Sequence, residues 1–177
     1  MIVYTSDQGF YMGEYGWFDK RFMYEESFRT PLLIYLPGGK RGNVTEMVQN
    51  IDYAPTMLEW AGVNVPADLQ GISLLPLLKG EKTLQWRHSL YYHYYEYPDG
   101  HVVNKHYGVR TEKYALVYFY GDVNAWELYD IEKAPMNMHN LYGLPEYETV
   151  VKELKTELQR LQIRYNDPIR FEEGVSQ

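Results

Sequence analysis

The opening 37 residues constrain this chain more than any other stretch. Ile2-Val3-Tyr4-Thr5 and Leu32-Leu33-Ile34-Tyr35-Leu36 combine β-branched, aromatic and aliphatic residues and are apolar on both faces. That pattern suits central strands of a parallel sheet covered on both sides. Pro37-Gly38-Gly39 punctuates the end of the second run. The connection between them is far longer than the roughly 12–15 residues beyond which a loop in a compact domain is usually functional. It carries Ser6-Asp7-Gln8-Gly9, Gly13-Glu14-Tyr15-Gly16, Lys20 and Glu25-Glu26-Ser27-Phe28-Arg29-Thr30-Pro31. An acidic, glycine-punctuated loop released from a strand's carboxyl end is where open α/β sheets hold ligand-binding residues, because a rigid edge positions a reachable loop. No nucleophile accompanies it.

Composition narrows the function classes. With 177 residues, 45% of them apolar, the chain can bury a core as one domain or two small ones. A formal net charge of -7, without a cluster of lysine or arginine, argues against a surface that tracks nucleic-acid phosphates. Zero cysteines exclude disulfides, a thiolate zinc site and a cysteine nucleophile. No apolar run reaches membrane-spanning length, and the first residues lack the basic, apolar, small-residue order of a signal peptide.

Downstream, Asn50 to Gly62 reads as a helix with Asp52 as its N-terminal cap, Pro55 in the first turn and Gly62 at the carboxyl end. Leu74 to Leu78 reads as a short apolar helix ended by Lys79-Gly80. The composition then shifts. Leu90–Tyr95, His106–Arg110, Tyr114–Tyr120 and Trp126–Tyr129 alternate aromatic or aliphatic with polar residues, separated by Pro98-Asp99-Gly100 and Gly121-Asp122 turns. They predict an antiparallel sheet with one solvated face. Val150, Val151, Leu154, Leu158, Leu161 and Ile163 recur near a 3.6-residue period, so a helix over 147–165 is expected to lie across that sheet. The domain reading is an α/β portion over 1–80, an antiparallel sheet with a helix over 81–166, and a tail over 167–177.

These blocks resemble, in order, the second half of the type I sulfatases of the alkaline phosphatase superfamily, bacterial glycan sulfatases in particular. The resemblance rests on Tyr4-Thr-Ser-Asp-Gln-Gly9, Gly13-Glu-Tyr-Gly16, Lys20, Tyr24-Glu-Glu-Ser27, Arg29-Thr-Pro31, Asp52-Tyr-Ala-Pro-Thr-Met-Leu58, Gly71-Ile-Ser-Leu-Leu75, Gly108-Val-Arg-Thr-Glu-Lys-Tyr114 and Trp126-Glu-Leu-Tyr-Asp130. It implies the carboxyl-terminal portion of an alkaline-phosphatase-like α/β sheet followed by the small antiparallel sheet and helix. It also implies that Asp7 and Gln8 are oxygen ligands to calcium, a cation that takes six to eight hard donors. Lys20 falls where the family sets a lysine against the sulfate, as electrostatic support for the departing oxygen. Tyr15 stands where many relatives have histidine. The family's nucleophile, a formylglycine made from cysteine or serine in Cys/Ser-x-Pro-Ser-Arg, has no counterpart here. The expectation is therefore a carboxyl-terminal fragment, inactive alone, of an exported sulfatase whose substrate is a sulfated glycan.

The five histidines show no metal-ligand spacing. His101, His106 and Arg110 are the candidates for substrate binding, Arg110 because guanidinium can grip a carboxylate or sulfate in two places. The tyrosines of 91–97 divide between sugar stacking and core, with core expected for most. Two other functions remain open: a phosphonate monoester hydrolase or phosphodiesterase of the same superfamily, and a non-catalytic carbohydrate-binding module. A sheet lacking its neighbours would expose strand edges and apolar surface, so self-association is expected.

Overall fold

In the computed structural model, residues 1–81, 85–98, 102–133 and 139–170 are described. In chain order the elements are β1 (Ile2–Thr5), β2 (Tyr11–Met12), β3 (Phe18–Asp19), α1 (Glu25–Phe28), β4 (Leu32–Tyr35), α2 (Tyr53–Trp60) and α3 (Leu75–Lys79). There follow β5 (Ser89–Tyr94), β6 (His106–Thr111), β7 (Tyr114–Phe119), β8 (Ala125–Asp130) and α4 (Glu148–Arg164). They form two compact units, one of residues 1–8 and 30–88, the other of residues 9–29 and 89–177. The long connection thus belongs to a different unit from the two strands that flank it.

In the first unit β1 and β4 pair antiparallel, with Ile2 opposite Tyr35 and Tyr4 opposite Leu33. The sequence predicted parallel neighbours. Apolar content reports burial, not direction, and a connection this long can return a strand either way. Ile2, Tyr4, Leu33 and Tyr35 share one face and are 66, 67, 61 and 60% exposed. Asp52 is the N-cap residue of α2, as expected, but its side chain makes no capping hydrogen bond to that helix. It is the third residue of a 3-10 turn at 50–52, and its carboxylate accepts the Gln49 N–H at 2.8 Å while the Gln49 side chain accepts the Asp52 N–H. Asp52 is 0% exposed and also accepts the Ile72 N–H at 2.8 Å and both terminal nitrogens of Arg87 at 2.6 Å. One carboxylate therefore ties the entry to α2, the 71–74 segment and Arg87 together.

In the second unit β5, β6, β7 and β8 form an antiparallel meander. Tyr107, Val109, Leu116 and Leu128 point to one face, where Leu154, Leu158 and Leu161 of α4 cover them. The opposite face was expected to be wet. Instead Met23 closes over Val117 and Phe119, with Phe22, Phe28 and Tyr92 packed around it. The cover is supplied by the long connection, which the periodicity of the strands themselves cannot report.

Asp167, placed by sequence at the start of a tail, is buried. Its carboxylate lies 2.6 Å from His93 Nδ1 and accepts the Tyr91 and Tyr95 hydroxyls at 2.7 and 3.0 Å. No helix among the described residues is long and apolar enough to cross a membrane.

Candidate active site

Asp7 and Gln8 stand just past the end of β1, Asp7 exposed and Gln8 half-buried. The Ser6 hydroxyl donates to the Gln8 carbonyl at 2.8 Å and lies 3.3 Å from Asp7 Oδ1, so a turn held by its own serine presents the acid and the amide side by side. The next residue begins the second unit. The Gly9 N–H donates to the Ser27 carbonyl at 2.8 Å, and a Cβ on Gly9 would lie 1.9 Å from the Glu26 carbonyl oxygen. Only glycine passes there.

The segment from Arg21 to Glu25 is fastened to the antiparallel sheet residue by residue. Met23 is seated over Gly108, where a Cβ would stand 2.6 Å from the methionine sulfur and 2.4 Å from the Leu116 carbonyl oxygen. The Tyr24 hydroxyl donates to Glu127 at 2.7 Å, and Arg110 Nε donates to Glu25 at 3.0 Å. Gly108, Arg110 and Glu127, which lie in the blocks that carry the resemblance, are each one half of a contact with residues 23–25.

Tyr15 adopts a left-handed backbone, φ 59, and its hydroxyl donates to Glu26 at 2.9 Å. Burial, reinforced by Glu26, pushes that phenol above its ordinary range, so it stays a proton donor. Glu14 accepts the Met12 N–H, which draws its carboxyl below the usual range.

Of the expected substrate residues, His101 lies outside the described residues. His106 is 0% exposed, enclosed by Phe22, Tyr92, Tyr94 and Phe119. Its Nδ1–H donates to the Asn104 carbonyl at 2.8 Å, and burial lowers its pKa to about 4. In this geometry the imidazole is sealed among rings and exposes no atom to solvent. Arg110 is partly exposed and borders a shallow depression with Glu25, Arg29, Glu112, Lys113 and Glu132, its guanidinium already engaged by Glu25.

Residues 13–164 match the family model described as "N-sulphoglucosamine sulphohydrolase, C-terminal". The chain belongs to that family. It is 50% identical over 171 residues, 94% of its length, to an N-acetylglucosamine-6-O-sulfatase of Bacteroides thetaiotaomicron. It is 31% identical over 88% of its length to an arylsulfatase of Clostridium perfringens. Among solved structures, a complex of a protein with its substrate D-glucosamine-2-N,6-O-disulfate superimposes with TM-score 0.88 at 49% identity, over 94% of this chain and 34% of that one. A phosphonate monoester hydrolase from Silicibacter pomeroyi superimposes with TM-score 0.81 at 27% identity, over 92% of this chain and 34% of that one. The chain spans about a third of the length of these relatives, 31% and 32% of the two sulfatases.

For this sulfatase family member the donor set is partial. Asp7 and Gln8 offer hard oxygens of the kind calcium takes, yet among the described residues no three or more acids or histidines gather into a metal-binding group. Two donors fit the chemistry of that cation without completing its shell. The buried His93–Asp167 pair is a polar centre that sequence reasoning missed. Seventy-four positions separate its partners, and no spacing rule joins residues so distant.

Proposed function

We propose that this chain is the carboxyl-terminal part of a calcium-dependent sulfatase that hydrolyses a 6-sulfate ester on a glucosamine-type sugar of a glycan. The observation that carries this reading is the 50% identity along nearly the whole chain to an N-acetylglucosamine-6-O-sulfatase. Asp7 and Gln8 would hold one side of the metal, which when bound offsets negative charge on the sulfate. Lys20 supplies a compact positive charge at the oxygen that departs from sulfur. Arg110 is a candidate for a sugar substituent, reached by exchanging its Glu25 partner, and so is His101, which lies outside the described residues. The formylglycine nucleophile would come from sequence outside these 177 residues, so the chain alone is proposed to be inactive.

The test joins the amino-terminal two thirds of the Bacteroides thetaiotaomicron relative to this chain and measures sulfate release from N-acetylglucosamine-6-sulfate by ion chromatography. Turnover by the joined protein, none by the 177 residues alone, and a loss of at least about 100-fold on Lys20→Ala are the expected results, the size being that of one lost electrostatic contact in a transition state. A folded joined protein that hydrolyses a phosphonate monoester and leaves the sulfate ester intact would move the assignment to the other superfamily activity.

A further inference from the structure

Lysine is a point charge on a flexible four-carbon stem, so the protein controls its reach chiefly through the backbone that carries it. Residues 20–24 lie outside helix and strand and lack the ladder that would fix them. Three successive carbonyls there each receive a side-chain hydroxyl. Ser27 Oγ donates to the Lys20 carbonyl at 2.8 Å, the Tyr92 hydroxyl to the Arg21 carbonyl at 2.8 Å, and the Tyr11 hydroxyl to the Phe22 carbonyl at 3.1 Å. On the amino side, Asp19 Oδ1 accepts the Lys20 N–H at 2.8 Å. The donors come from α1, β5 and β2, so three elements converge on three consecutive peptide groups. Ser27 and Tyr11 are each 1% exposed, and a hydroxyl buried at that depth has no water to bond instead.

We infer that Ser27, Tyr92 and Tyr11 are positioning residues for Lys20, a hydroxyl clamp that fixes the height and direction from which the ammonium reaches the sulfate. The inference rests on the role of Lys20 proposed above. Burial holds the Tyr92 phenol up at about 12 and the Tyr11 phenol higher still, so both keep the proton they donate throughout the working range. The clamp also explains why a tyrosine of the antiparallel sheet is tied to the loop that carries Lys20. A displacement of about 1 Å at a reacting group costs on the order of 100-fold in rate.

The test uses the joined, active protein described above with Tyr92→Phe and Ser27→Ala, each of which removes a single oxygen. Tyr91→Phe serves as control, since its hydroxyl bonds Asp167 on the other face of the sheet. The expected result is a fall in kcat of about 10- to 100-fold for Tyr92→Phe and Ser27→Ala, with KM changed less than about threefold, and an unchanged kcat for Tyr91→Phe at a comparable drop in Tm. If Lys20→Ala is inactive while Tyr92→Phe and Ser27→Ala retain kcat within about twofold, the clamp is structural only and the inference is overturned. If Lys20→Ala retains full activity, the role of Lys20 fails first and the clamp has nothing to position. A variant that loses folding is read through Ser27→Thr, which keeps the hydroxyl and is expected to restore kcat.

Discussion

Replacing Arg87 with methionine tests whether the Asp52 carboxylate organises the first unit. The substitution keeps an unbranched apolar stem and deletes both charge-assisted bonds, each 2.6 Å long, from a carboxylate that is 0% exposed. The two backbone N–H groups of Gln49 and Ile72 remain, so the anion keeps part of its solvation. Breaking one side of a buried ion pair costs about 3–5 kcal/mol, against a total domain stability of about 5–15 kcal/mol. At a urea slope of about 1–3 kcal/mol per molar, the unfolding midpoint of the unit should fall by about 1–5 M. Urea titration followed by circular dichroism reads that shift, and amide exchange at Ile72 locates it in the first unit. Adding Asp52→Asn removes the stranded charge and should recover part of the loss. A midpoint that moves by less than about 0.5 M, or a double variant less stable than Arg87→Met alone, would refute the account.

Other outcomes follow from the same geometry. Because His106 has a folded-state pKa of about 4 against an ordinary value of about 6.5, the unfolded chain binds its proton first as the medium is acidified. The stability this group contributes is complete above about pH 6.5 and is lost towards pH 4, about 3 kcal/mol in all. Urea midpoints between pH 7.5 and 4 should slope accordingly and flatten in His106→Phe, with a residual slope because burial lowers His93 as well. Gly9→Ala forces a Cβ to within 1.9 Å of the Glu26 carbonyl oxygen and should lower stability by about 1–3 kcal/mol or more, read as a fall in Tm. Gly108→Ala, pressed against Leu116 and Met23, should do the same and loosen Met23, visible as a shifted methyl resonance. The 177-residue chain is expected to self-associate through the face of Ile2, Tyr4, Leu33 and Tyr35, and light scattering should show Tyr4→Lys with Leu33→Glu to be nearer a monomer.

The antiparallel sheet and the long helix were legible in the sequence because their periodicities are local: Leu154, Leu158 and Leu161 declare one face, as the alternation through 106–111 declares two. The direction of β1 against β4 was not, since two short apolar runs far apart carry no record of how the chain returns. Asp52 was placed correctly at the N-cap of α2, but the partners of its carboxylate were not legible, because the decisive one, Arg87, is 35 positions away. His106 was a substrate candidate through the family resemblance; the parity of a strand separates its two sides but does not say which of them is sealed. The blocks around Asp7, Lys20 and Gly108 were found as patterns; that Met23 needs Gly108 and Tyr24 needs Glu127 is visible only once the chain is folded.

The path of the chain also governs how such a protein can be divided. It leaves the first unit after Gln8, returns at Thr30 and leaves again after His88. A cut near residue 80 or 88 would strip the sheet of Phe22, Met23 and Phe28 and bare Val117 and Phe119 to water. The second unit is thus an exchangeable cassette only in two pieces: transplanting residues 89–170 between relatives without residues 9–29 would pair one protein's Glu127 and Gly108 with another's loop. Recombination that keeps both segments from one parent preserves the seat beneath Lys20, and a single crossover between residues 29 and 89 separates its two halves.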